Sequence, residues 1–194
     1  MAIRLENEFV VNAPLDETWP ALLDLKRVSR CLPGATLEPA EGEEGYRGTM
    51  KVKLGPVTTE YEGTAKLEDV DEAGRRASVR VEGKERRGQG TASALIRNRL
   101  ETADGATRVV VESEVNVTGK PAQFGRGIMQ GVAAKLLDEF ATCLEAEISG
   151  DSTNSQDAEA LDVGPAARGA FRRPAALVAG LGLAVLALRF LRRR

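Results

Sequence analysis

The reading of the fold turns on residues 107–148, TRVVVESEVNVTGKPAQFGRGIMQGVAAKLLDEFATCLEAEI. In the first twelve residues Val109, Val111, Val115 and Val117 share one face with Ser113. That two-residue period describes a strand with one buried face. After Gly119 the period changes. Pro121 suits the first position of a helix, and the spacing predicts one over 121–148. Ile128, Met129, Val132, Ala133, Leu136, Leu137, Phe140, Cys143 and Leu144 form a wide apolar stripe along it. A helix with that stripe must lie along something apolar. The candidate is the concave face of a sheet built upstream.

The upstream chain supplies the sheet. Ile3, Leu5, Phe9 and Val11 alternate with polar residues as a half-buried strand, which Ala13-Pro14 stops. Leu15–Leu25 reads as a helix with Asp16 and Glu17 in its first turn; Pro20 inside it predicts a kink or a restart there. A short helical piece, Lys26–Cys31, ends at Leu32-Pro33-Gly34. From Ala35 to Thr118 the pattern is an antiparallel meander. Met50, Val52 and Leu54 share a face, as do Tyr61, Gly63, Ala65 and Leu67, and then Ala77, Val79 and Val81. Glu85, Arg86 and Arg87 form a charge run that reads as a solvated turn.

Beyond the long helix the composition shifts twice. Residues 149–173 begin Ser/Asp-rich, lack periodicity and read as a disordered linker. Residues 174–194 read as an apolar membrane-anchoring tail, with no charge between Ala175 and Leu188. Leu177, Leu181, Leu183, Val185, Leu186, Leu188 and Phe190 form its apolar body. Arg172 and Arg173 stand before it, and Arg192, Arg193 and Arg194 behind it. Pro174–Leu191 would reach roughly 27 Å as a helix, at ~1.5 Å per residue, against a bilayer core of ~30 Å. The tail therefore either spans the bilayer or lies in its interface, and either arrangement holds the domain, residues 1–148, at the cytoplasmic face of the cell membrane.

Charge and composition exclude several functions. Without the seven arginines of residues 165–194 and the four acids of 149–164, the chain holds 20 basic and 25 acidic residues. A mildly acidic domain is a poor nucleic-acid ligand. There is no histidine, which removes the commonest general base and metal ligand. Cys31 and Cys143 lie in no metal-binding spacing, and no apolar leader precedes the first strand, so both are expected to be reduced, buried thiols. No metal site and no intrinsic cofactor are expected, and catalysis is disfavoured.

The order of strand, two short helices, antiparallel meander and long C-terminal helix is that of the START-like, helix-grip fold, an α+β architecture. Ala13-Pro14 with Trp19, Cys31-Leu32-Pro33-Gly34, Lys51–Val57, Tyr61-Glu62-Gly63 and Gly119 followed by Gln123–Arg126 are similar to the G-subunit family of carbon monoxide dehydrogenase. The resemblance covers roughly residues 3–148. It implies an accessory protein that recruits a molybdenum-containing carbon monoxide dehydrogenase, or a related hydroxylase, to the membrane. Gly127 and Gly131, four apart and off the apolar stripe, are the candidate partner contact.

The fold also implies an apolar ligand between sheet and helix. Small inward residues (Gly63, Ala65, Ala77, Ala92, Ala94, Ser113) leave room for one. A membrane-held partner of a dehydrogenase points to a respiratory quinone. Its isoprenoid chain is expected along Met50, Val52, Val79, Val111, Ile128, Val132 and Leu136, and its head group near Trp19, Leu32, Tyr61 or Phe124. The competing reading fills that space with Leu, Met and Phe of the long helix. A lipid-transfer protein without an enzyme partner is an alternative function. A cyclase or hydrolase of this fold is another, with Tyr61 and Glu60 or Glu62 as its polar residues; alternation sets the glutamates opposite the tyrosine.

Overall fold

The computed structural model describes residues 2–42, 44–54, 57–150 and 161–162. The expected tail with its flanking arginines, and all of the expected linker except Ser149, Gly150 and Leu161–Asp162, lie outside the described residues.

Strand β1 (Ala2–Val11) leads through helices α1 (Leu15–Leu23) and α2 (Leu25–Arg30) to β2 (Ala35–Pro39). The meander follows: β3 (Tyr46–Leu54), β4 (Val57–Asp71), β5 (Arg76–Glu85), β6 (Thr91–Ala103) and β7 (Ala106–Val117). A 3₁₀ turn, Lys120–Phe124, precedes helix α3 (Gly125–Ser149), and β8 (Leu161–Asp162) comes last. The antiparallel sheet has the order β1-β7-β6-β5-β4-β3-β2, with β8 running parallel to β3 at Val52 and Lys53. This is the curved sheet with a long C-terminal helix that the alternating pattern predicts.

The helix boundaries differ from the expected ones for local reasons. α1 runs past Pro20 unbroken, and the restart comes at Asp24. Pro20 is the sixth of the nine residues of α1, and its missing N–H removes a single bond, the one to the Asp16 carbonyl. Asp24 takes an extended ψ of 90° and its side chain accepts from the Arg27 amide at 3.0 Å, capping α2. The long helix begins at Gly125, not Pro121. Gly119 and Gly125, at φ 79° and 76°, enclose the 3₁₀ turn that holds Pro121.

A row of small residues crosses the sheet. Gly48 faces Gly63, Gly63 faces Gly83, and Gly83 faces Ala92. A Cβ on Gly48 would stand 1.8 Å from the Thr36 carbonyl oxygen, and one on Gly63 1.8 Å from that of Glu82. Only glycine admits this close approach, and it lets the sheet coil sharply.

The core has two parts. The larger gathers Phe9, Val11, Trp19, Leu22, Leu100, Val109, Phe140 and Leu144. Phe9 and Phe140 meet edge to face at 5.7 Å. The smaller is Leu54 and Val132, with Val52, Phe124 and Leu136 packed against them. The expectation of reduced cysteines is corrected: Cys31 and Cys143 form a disulfide, with Cα atoms 5.3 Å apart. Their 112-residue separation in sequence hides this pairing, which requires α2 to end beside the second half of α3.

Candidate ligand site

The site is the inner face of the sheet between the two core clusters. Cross-strand pairing places Tyr46, Ala65, Val81, Ala94, Val115 and Ile3 in one row. The glycine row lies beside it, and beyond that a row of Met50, Tyr61 and Glu85. Met50, Val79, Val81, Ala92 and Ala94 all face inward yet are only half-buried. Of the strands, β1 is the one α3 packs against most extensively. In the first half of the helix Val132 alone is buried among the described residues, and Ile128 is 43% exposed.

The thirteen residues expected to line the cavity fall into three groups. Trp19, Leu32 and Val111 belong to, or pack against, the larger cluster. Trp19 is 4% exposed, with the Arg75 guanidinium 5.7 Å above its ring. Val52, Phe124, Val132 and Leu136 make up most of the smaller cluster. Met50, Tyr61, Val79, Ala92 and Ala94 lie on the inner face outside both clusters, and Ile128 on the exposed side of α3.

Gly127 and Gly131 are exposed, and a Cβ on either would meet nothing within 4 Å. The disulfide ties the Cys31 end of the Cys31–Gly34 loop to the second half of α3, away from these glycines. Cys143 lies roughly 24 Å along the helix from Gly127 at ~1.5 Å per residue. Gly34, at φ 78°, instead docks on β3, its carbonyl accepting from the Lys51 amide at 2.9 Å.

Two polar inner-face residues escaped the sequence reading. Thr59, two residues before Tyr61, is 3% exposed; Tyr61 is 9% exposed. The hydroxyl oxygens of both are buried with no hydrogen-bond partner among the described residues. Glu85 is not part of a solvated turn but the last residue of β5, facing inward opposite Tyr61. Continuing the alternation Val79, Val81, Gly83 by one step would have found it. Its neighbour Arg86 pairs outward with Glu60 at 2.7 Å. Burial raises the Tyr61 phenol above its ordinary value; the nearby Thr59 hydroxyl opposes this and the Glu85 carboxylate adds to it.

A cavity of about 330 Å³ opens at this end, lined by Lys51, Thr58, Thr59, Glu60, Glu85 and Arg87. A second, of about 470 Å³, is lined mainly by outward charged residues such as Arg76, Arg97, Arg99 and Glu112. Neither cavity shares a residue with the expected lining. No group of acidic or cysteine side chains able to hold a metal occurs among the described residues. No helix among them is long and apolar enough to cross a membrane.

Residues 8–149 match the family model of the carbon monoxide dehydrogenase G subunit (CoxG). No curated protein matches the sequence. Among solved structures, a conserved protein from Geobacillus kaustophilus is similar at a TM-score of 0.67 and 23% identity, over 77% of this chain and 97% of that one. The Zhui aromatase/cyclase from Streptomyces sp. R1128 is similar at 0.52 and 16%, over 77% and 94%. A third similar structure, TTHA0849 from Thermus thermophilus, stands at 0.54 and 15%, over 78% and 100%. At these identities the likeness is one of fold, START-like and polyketide cyclase-like.

Proposed function

Because this chain belongs to the G-subunit (CoxG) family of carbon monoxide dehydrogenase, we propose that it is a non-catalytic accessory protein that brings a carbon monoxide dehydrogenase-type molybdenum hydroxylase to the membrane and carries a respiratory quinone. The observation that carries the ligand half of this reading is the half-buried apolar surface of Met50, Val79, Val81, Ala92 and Ala94 between two packed clusters. Covering such surface is worth about 25 cal/mol per Å² before the costs of association. An isoprenoid chain suits it in shape and polarity.

The partner half rests on the family. An oxidase of carbon monoxide must pass electrons on, and quinones are dissolved in the bilayer. With Leu161–Asp162 paired to β3, the stretch of about eleven residues from 163 to 173 would reach roughly 18 Å as a coil, at ~5–6 Å times the square root of length. That suffices for a mouth that touches lipid and then turns to an enzyme. The apolar sequence from Ala175 to Leu188 supports attachment to a membrane.

The test combines location with electron transfer. The full-length protein is expected to sediment with membranes, and a variant lacking residues 172–194 to stay folded and soluble. Quinone reduction by the hydroxylase is expected to accelerate with the full-length protein and far less with the truncated one. Equal rates for both, or no association with such a hydroxylase, would overturn the recruiting role.

A further inference from the structure

We infer that Thr59 and Tyr61 form the polar end of the ligand site and hold an uncharged ligand by a carbonyl oxygen. This rests on the reading of the inner face as a ligand cavity and specifies which end takes the head group and what chemistry it bears.

The starting point is an unmet requirement. Both hydroxyls are buried, at 3% and 9% residue exposure, and neither oxygen has a partner among the described residues. A hydroxyl withdrawn from water without a partner destabilises the fold, so buried hydroxyls are nearly always bonded. The Thr59 hydroxyl lies close enough to favour ionisation of the Tyr61 phenol, yet neither oxygen completes a hydrogen bond among the described residues. Even bonded to each other they would leave one O–H hydrogen to donate. The group they lack is therefore an acceptor.

The surroundings choose which acceptor. Both residues face inward at the end of the apolar surface, with Met50 opposite Tyr61 and Val52 opposite Thr59. Burial keeps the Tyr61 phenol protonated, so it remains an O–H donor. On the other flank of Tyr61 stands Glu85, which has no ion-pair partner among the described residues. A Cβ on Gly88 would lie 2.2 Å from Glu85 Oε2, and one on Gly90 2.9 Å. The missing side chains at these glycines leave the carboxylate its place. An anionic head group would meet Glu85 at close range. Lys51 and Arg87 line the same cavity, but Lys51 belongs to the outward face, opposite Glu60 and apart from the inward hydroxyls, and Arg87 is matched there by Glu85. A neutral carbonyl suits two hydroxyl donors beside a carboxylate; a fatty acid or phosphate does not. Trp19, at the other end, is packed in the larger cluster beneath Arg75.

The test uses the full-length protein in detergent and three probes: a benzoquinone with a ten-carbon side chain, a saturated hydrocarbon of similar length, and the ten-carbon fatty acid. Dissociation constants are measured for wild type, Tyr61→Phe, Thr59→Val and Thr59→Ser. The quinone is expected to bind wild type more tightly than either other probe. Tyr61→Phe and Thr59→Val are expected to weaken quinone binding by about fivefold to tenfold each, and to leave the hydrocarbon unchanged. Thr59→Ser, which keeps the hydroxyl, is expected to retain affinity. Infrared spectra of bound quinone are expected to show a carbonyl stretch shifted to lower frequency in wild type and shifted less in Tyr61→Phe. The unliganded Tyr61→Phe protein is expected to melt no lower than wild type, since it loses an unpartnered group. If quinone and hydrocarbon bind equally and the variants change nothing, the hydroxyl site is wrong while the cavity stands. Binding of no probe overturns the cavity and this site together. A fatty acid that binds more tightly than the quinone overturns the carbonyl assignment alone.

Discussion

Gly63 sits where two strands approach too closely for any side chain, with Gly48 and Gly83 on either side. A methyl there would lie 1.8 Å from the Glu82 carbonyl oxygen and 2.6 Å from the Gly83 Cα, and both are backbone atoms that cannot swing aside. Gly63→Ala is expected to cost about 3 kcal/mol, read from the urea midpoint. Gly127→Ala, on an open helical surface, is expected to stabilise by about 0.5–1 kcal/mol and serves as the contrast. Equal effects would deny the glycine row its role. The sequence reveals that Gly63 faces inward, because alternation with Tyr61, Ala65 and Leu67 says so. It does not reveal that Gly48 and Gly83 join it, because register between strands is set by pairing and not by any one strand's pattern. The same limit hides the meeting of Tyr61 with Glu85. Thr59 was within reach, two residues along the same face.

Helix α3 has two unlike halves. The second is fixed on three sides: by the disulfide to Cys31, by the ring contact of Phe140 with Phe9, and by Glu147, whose carboxylate lies 3.4 Å from Arg27 and 3.5 Å from Arg30. The first half carries Gly125, Gly127 and Gly131, and Val132 is its one buried residue. Cys143→Ser is expected to lower stability by about 2–4 kcal/mol, measured by denaturant unfolding, with dithiothreitol lowering wild type by a similar amount. A variant as stable as wild type, or a wild type indifferent to reductant, would show that the bridge contributes nothing. At this scale the period of two over the meander and of three to four over α3 made every major element visible. The helix start was misplaced because proline suits the first turn of either helix type, and the positive φ angles of Gly119 and Gly125 are not written in the pattern. The disulfide was hidden because cysteine reads equally well as a small buried side chain.

At the scale of the whole molecule, α3 pressed on β1 leaves the inner surface of β3–β6 incompletely covered, in a chain of the carbon monoxide dehydrogenase G-subunit family. Fold and inward faces were visible in the sequence because burial imposes periodicity. Whether that face is filled or left open was not, since an unfilled surface and a packed one have the same alternation. The central claim is that this surface holds a quinone. Native mass spectrometry of the full-length protein, extracted from membranes in mild detergent, tests it most directly. Wild type is expected to carry a single adduct with the mass of a membrane quinone. Ala94→Phe, which places a ring in the row between Val81 and Val115, is expected to lose the adduct while remaining folded. Wild type without any adduct, or an Ala94→Phe protein that keeps it, would contradict the account.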